Sequence, residues 1–494
     1  MRDHQGVIAI SFTNKASNEL KERCIGDGLG KKMSFFGTID SFFISEIIIP
    51  FLPHIWGHNG DLFIRSDSEL EGLIEDFEVS NGLETNKIIL AMKNLYVDHS
   101  VCLLEKVGIL GNFVYENSLA CRKYLAARYT HVMVDEYQDS DKYQHKMFKR
   151  LTNLGLISIG VGDANQSIFG FAGKSPEYLM DLTSDCRFKS FGLTKNMRCH
   201  PSITNYSLSM ISQNPTLLPC NDTRVFYRRI YGGSDQFVEW FTHSLEGIKV
   251  QFNISRNCEI GVLFISNRGA EDFSKAVGLP CKYSVATKID NDYSPCSVLY
   301  RHILNYVLVP NKTKTGLIEG LSAQISIRKL RVVSKLLDEL KQNSPDLSTL
   351  LPRLETFKEL SDILLPNESS RKSLALLGNV LSDQEQLNSY IPPLENEIQS
   401  MTLHKSKGLE FQVVFHMDLH NWILPSYQAL KGSMSHRLQD LNLHYVGVTR
   451  AIEACFLVST SKRVNSSGEV KDGVPSDFLN ENNLQDLRNN KEVK

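Results

Sequence analysis

Short apolar runs that end in polar residues recur along the chain: Val7 to Phe12, Val132 to Val134, Ile157 to Val161, Ile260 to Ile265, Val413 to Met417 and Phe456 to Ser459. Each is short enough for a buried strand, and segments of helical spacing separate them. That alternation predicts parallel α/β sheets, two of them over this length. Between about Gly57 and Arg128, and again between about Pro295 and Pro392, the strand pattern gives way to helical periodicity. In the second stretch Ile327, Leu330, Val333, Leu336 and Leu337 fall on one helix face. Both stretches are expected to be helical insertions. After about Arg463 the chain is rich in Asn, Ser, Asp and Lys and poor in apolar side chains, which predicts a poorly ordered terminus.

Composition narrows the classes. With 494 residues, 42% of them hydrophobic and 22% charged, the chain can bury several domains. A net charge of -2 supplies no global basic field, so any nucleic-acid contact must come from local arrangement. The ten cysteines form no C-x-x-C pair, which argues against a zinc module and a secreted disulfide framework and for a reducing cytoplasmic setting. No apolar run is expected to span a membrane.

Chemistry concentrates at the ends of the strands. In Val132-Met133-Val134-Asp135-Glu136-Tyr137-Gln138-Asp139, two adjacent carboxylates follow a buried strand, where open α/β sheets bind ligands. Asp135 suits Mg²⁺, and Glu136 suits orienting and deprotonating a water that attacks a γ-phosphate. The next strand runs into Gly162-Asp163-Ala164-Asn165-Gln166-Ser167-Ile168-Phe169-Gly170-Phe171. There Gln166 has the chemistry to sense a phosphate and Phe171 a flat face for a base; core packing is the ordinary alternative for a Phe.

These two segments resemble motifs II and III of the UvrD/Rep/PcrA helicases of superfamily 1A, and five more collinear segments extend the likeness. Ile10-Ser11-Phe12-Thr13-Asn14-Lys15-Ala16 and Phe36-Gly37-Thr38-Ile39-Asp40-Ser41-Phe42 resemble motifs Ia and Ib. Leu193 to Arg198 resembles motif IV, Met401 to Phe411 motif V and His444 to Ala451 motif VI. Asp40, the run Ser45-Glu46-Ile47-Ile48 and the stretch Asp135 to Asp141 are similar to one branch, the helicase subunits of Gabija anti-phage systems.

The resemblance implies two RecA-like parallel-sheet domains and an ATP-dependent helicase that moves 3′ to 5′ on DNA. It implies ATP and Mg²⁺ as cofactors, with ATP bound between the core domains and DNA crossing their top. Single-stranded or partly duplex DNA is the implied partner, with an OLD-type nuclease in a hetero-oligomer. The expected segments are 1–56 with 129–215 for the first core, 57–128 for its insertion, 216–294 with 393–463 for the second core, and 295–392 for a small second insertion. By the same resemblance Asp135, Glu136, Gln166, Arg198 and Arg450 serve hydrolysis, with the two arginines as fingers on the γ-phosphate. Gly408 and Glu410 would meet the nucleotide, Glu410 at the ribose. Phe12, Thr13, Asn14, Phe42, Phe171 and His404 would meet DNA.

Two departures stand out. The phosphate-cradling G-x-x-x-x-G-K-[ST] does not occur in these residues; Gly173-Lys174-Ser175 has its ending, but Ile168 stands where its first glycine belongs. The first RecA-like sheet is therefore expected to be truncated, with unpaired backbone on either side of a missing central strand. A start placed too late in the gene is one expectation, and a non-hydrolysing DNA-binding or regulatory subunit of a nuclease complex is its rival. Ala172 also replaces the arginine usual after the stacking aromatic.

Overall fold

A computed structural model describes residues 5–11, 17, 20, 24, 34–57, 62–65, 85–285, 287–290, 292, 294–310, 312, 314, 317, 327–343, 347–366, 370–465 and 467–493. The chain divides into two compact units. The first comprises 1–162 with 285–392, and the second 163–284 with 393–494.

In the first unit the strands are β1 (Gly6–Ile10), β2 (Phe35–Gly37), β3 (Phe63–Arg65), β4 (Val101–Leu103), β5 (Tyr129–Val134) and β6 (Ile157–Gly160). Four of them form a wholly parallel sheet in the order β2-β1-β5-β6, with Ile8 opposite both Phe35 and Val132 and Met133 opposite Ile159. The expected slot inside this sheet is absent among the described residues: β1 and β5 are each paired on both sides. The sheet's edges are β2 and β6, and along β6 and just after it Ile157, Ile159 and Val161 are 59%, 42% and 50% exposed. Such exposure is unusual for a parallel sheet, whose faces are ordinarily covered.

Helix Lys142–Asn153 returns the chain from β5 to β6. Asp141 caps it by accepting the amides of Tyr143 and Gln144, while Gln144 reaches back to the Asp141 amide, and Met147, Phe148 and Leu151 face the core. The described residues of stretch 57–128 are mainly helical and also hold the short parallel pair β3-β4. The expectation that no run is long and apolar enough for a membrane needs correcting. Helix Ile39–Trp56 is both by length and composition. It lies within this unit with Phe42, Phe43, Ile47, Ile48 and Leu52 fully buried, and its Glu46 accepts the hydroxyls of Tyr124 and Tyr129 at 2.8 Å each. The 285–392 segment forms helices Pro295–Leu308, Ile327–Asn343, Leu354–Leu364, Arg371–Ser382 and Gln384–Asn388 around its own core, which includes Val333, Leu336 and Leu337.

The second unit adds β7 (Val225–Ile230), β8 (Ile260–Phe264), β9 (Cys281–Tyr283), β10 (Ile398–Thr402), β11 (Phe411–His416), β12 (Ala451–Thr460), β13 (Lys462–Val464), β14 (Val470–Asp472) and β15 (Asn489–Val493). Seven of these form a parallel sheet in the order β15-β7-β12-β11-β8-β10-β9. One face packs on helices Ser234–Gln251 and Asn267–Ala276 through Phe237, Phe241, Phe273, Phe415 and Phe456. The other packs on helices Pro201–Ile211 and Met434–Thr449 through Ile203, Tyr206, Met210, Val446 and Val414. Residues 163–215, expected with the first core, pack with this unit because the apolar face of helix Pro201–Ile211 belongs to that second core.

The tail is not poorly ordered. β15 extends the sheet beside β7, and Phe478, Leu479 and Leu484 are 1% exposed in the same core. Buried Arg488 donates to the Leu479 carbonyl and the Tyr206 hydroxyl. A handful of apolar anchors and main-chain pairing suffice to order a polar segment.

Candidate nucleotide and DNA site

The first unit positions a pair of carboxylates. β5 delivers Asp135 to its carboxyl end, where the Asp135 amide bonds the Ile10 carbonyl at 3.0 Å and the exposed side chain accepts the Glu136 amide at 3.0 Å. Glu136 has φ 54°, a left-handed backbone that costs a non-glycine residue and that surrounding bonds must hold. They do: the Tyr137 amide donates to Val161 at 2.8 Å and the Asp139 amide to the Glu136 carbonyl at 2.9 Å. Fully buried Gln138 donates its carboxamide to the Glu136 carboxylate. Gly162 leaves the room for this, since a Cβ there would run into the Gln138 carboxamide and the Tyr137 amide. Gln138 lay inside the quoted strand-end run, but only the fold shows that it orients Glu136. The exposed, hard oxygens of Asp135 fit Mg²⁺, which retains waters and takes one or two carboxylates.

The second unit gathers the remaining hydrolysis candidates. Gln166 donates its carboxamide to Asp163 at 2.9 Å, accepts from Arg450 at 3.1 Å and offers its carbonyl to Lys407 at 2.7 Å. Arg450, 2% exposed at the end of helix Met434–Thr449, also donates to the Val446 and Leu409 carbonyls at 3.2 Å each. Its guanidinium is thereby oriented without an exposed, wandering side chain. Arg198 is held at its backbone by Asn196, whose side-chain oxygen accepts the Arg198 and Cys199 amides. Its Nε meets Glu410 Oε1 at 2.6 Å, with the two side chains 41% and 44% exposed. A pair this exposed contributes about 0–1 kcal/mol, so a nucleotide can displace it. Gly408, with φ 80°, makes the turn that leads to Glu410.

The DNA candidates separate. Phe12, Thr13 and Asn14 lie outside the described residues, as does the side chain of Phe171, whose backbone sits in the single turn Gly170–Ala172. Phe42 is not a DNA-facing residue. It is fully buried, with Phe35 and Tyr129 edge-on at 5.3 and 6.4 Å, and a ring without an open face cannot stack a base. His404 is half-buried, and burial holds its pKa below the ordinary value, so the ring is neutral at neutral pH. It lies 6.1 Å from Phe169, over which Lys407 sits at 5.3 Å. Phe169 and Lys407 both lay within quoted segments without a role. Lys405 joins them on this stretch, donating to the Ser284 carbonyl at 2.7 Å.

The site thus comprises paired carboxylates after one parallel strand and a glutamine-arginine pair beside a second parallel sheet. Residues 62–187 match the UvrD/REP helicase N-terminal domain, and residues 321–462 match the UvrD-like helicase C-terminal domain. The chain belongs to the UvrD-like helicases. Within that class it is similar to Gabija protein GajB of Bacillus cereus (strain VD045), at 26% identity over 94% of this chain and 88% of that protein. It is also similar to the ATP-dependent DNA helicase PcrA of Staphylococcus aureus (strain Mu50 / ATCC 700699), at 23% identity over 96% of this chain and 79% of PcrA.

Proposed function

We propose that this chain is the ATP-dependent 3′-to-5′ DNA helicase of a Gabija-like anti-phage defence system, acting with an OLD-type nuclease as partner. The Gabija reading rests on the similarity to GajB along nearly the whole chain. The motor reading rests above all on one observation, the buried Arg450 guanidinium bonded to the Gln166 carboxamide. A scaffold gains little from burying a cation against a neutral amide, whereas a phosphate sensor and an arginine finger gain a fixed orientation.

In the proposed reaction Asp135 would hold Mg²⁺, which supplies charge neutralisation at the β- and γ-phosphates. Glu136, fixed by Gln138 and its own backbone, takes the proton of the attacking water. Arg450 and Arg198 stabilise charge on the transferred phosphoryl group, Arg198 after leaving Glu410 for the nucleotide. Glu410 then accepts from the ribose. Phe171 and His404 grip single-stranded DNA without reading its sequence.

Glu136→Gln tests this in the full-length protein, because the change keeps size and removes the base. Turnover should fall by about 10²-fold or more, while binding of a fluorescent ADP stays near that of the parent. Equal turnover by parent and variant would remove Glu136 from the role. A full-length parent that binds DNA yet never hydrolyses ATP would be a non-hydrolysing subunit instead.

A further inference from the structure

Loop 163–173 carries Gln166 at one end and Phe171 near the other, and helix Met434–Thr449 holds it by its main chain. Asn442 Nδ2 donates to the Ser167 carbonyl at 3.0 Å and the Ala164 carbonyl at 3.5 Å, the two carbonyls that flank the Asn165-Gln166 pair. Gln439 Nε2 donates to the Ile168 carbonyl at 3.3 Å. Gln439, Asn442 and Arg450 fall on one stripe of this helix and its cap, so the element that grips the loop is also the one that presents the arginine.

Asn442 is the central fastening. It is 3% exposed, its amide nitrogen makes both of these bonds, and its Oδ1 is buried without a partner among the described residues. Leaving that oxygen unpaired carries its full desolvation penalty. A leucine would fill the same space without this cost. The residue is therefore poorly suited to packing alone and well suited to donating to two main-chain carbonyls at once.

We infer that Asn442 is a positioning residue that fastens loop 163–173 to the helix bearing Arg450, coupling DNA held by the loop to hydrolysis sensed at Gln166. The inference rests on the ATP-driven reading above and adds to it the residue through which the two events communicate. With the fastening intact, a shift of the loop on DNA binding carries Gln166 and the arginine helix together. Without it, the loop and the helix respond separately.

The readout is the ratio of ATPase rate with single-stranded DNA to the rate without it, measured in the full-length protein. Asn442→Leu keeps the branched shape and heavy-atom count and removes the donors, and it should lower that ratio by about fivefold or more, the range of ordinary coupling. A purely structural loss would lower both rates together and leave the ratio unchanged. Hydrogen exchange should report the same event as faster exchange at 164–168 in the variant, with strand Phe411–His416 protected as in the parent. Asn442→Asp, which sets an acceptor against the two carbonyls, should reproduce the loss, and Gln439→Ala should show it more weakly. If Asn442→Leu does not fold, Gln439→Ala carries the test. A parent ratio above one with an unchanged ratio in the folded variants overturns the coupling alone. A parent with no DNA-stimulated hydrolysis overturns the motor reading and the coupling with it.

Discussion

At the scale of single residues, two phenylalanines that look alike in sequence call for different tests. Phe42 closes an aromatic cluster with Phe35, Phe43 and Tyr129. Phe42→Ala should therefore destabilise the protein by about 3–5 kcal/mol and leave the single-stranded DNA affinity of the folded fraction unchanged. Phe171→Ala should do the reverse, keeping the fold and weakening DNA binding by about 1–3 kcal/mol. Denaturant melts and titration of a labelled oligonucleotide at fixed salt separate the two, and equal DNA affinity in Phe171→Ala would return that residue to packing. Asp135, Glu136, Gln166 and Arg450 could be proposed from the sequence because charged or amide residues close after apolar strands and helices have few structural reasons to be there. Gln138 and Asn442 were not legible, because their work depends on bonds to backbone that only folding brings near.

At the scale of elements, the strands that end in chemistry were readable as short apolar runs. β7, β10 and β15 were not: Val225–Ile230 carries two arginines, Ile398–Thr402 alternates too briefly, and Asn489–Val493 is mostly polar. Their order comes from pairing within the sheet, a long-range property that local pattern does not record. The same sheet packs a histidine pair against helix Met434–Thr449. His416, at the end of β11, meets His444 on that helix at 3.0 Å, and the His444 ring lies parallel to Phe478 of the tail. Burial pushes His416 down to about 4 and holds His444 well below the ordinary value, with its neighbour His416 and Arg488 adding to the effect. Both must stay neutral in the fold while the unfolded chain takes up protons at its ordinary pKa. Their stabilising contribution is thus complete above pH ~6.5 and is lost as pH falls from there towards 4. Melting temperatures measured across that window should decline less steeply in His444→Leu than in the parent. Parallel declines would show that the pair does not contribute to acid sensitivity.

At the scale of the whole molecule, the chemistry is divided between the two units. The first carries Asp135 and Glu136, and the second carries Gln166, Arg198, Glu410 and Arg450. The proposed hydrolysis calls on candidate residues from each unit. The most direct test is strand displacement by the full-length protein on partial duplexes with either a 3′ or a 5′ single-stranded tail. The account predicts ATP- and Mg²⁺-dependent unwinding of the 3′-tailed duplex, little on the 5′-tailed one, and none for Arg450→Ala. ATP-independent displacement, or no displacement from either tail by protein that binds both, would contradict it.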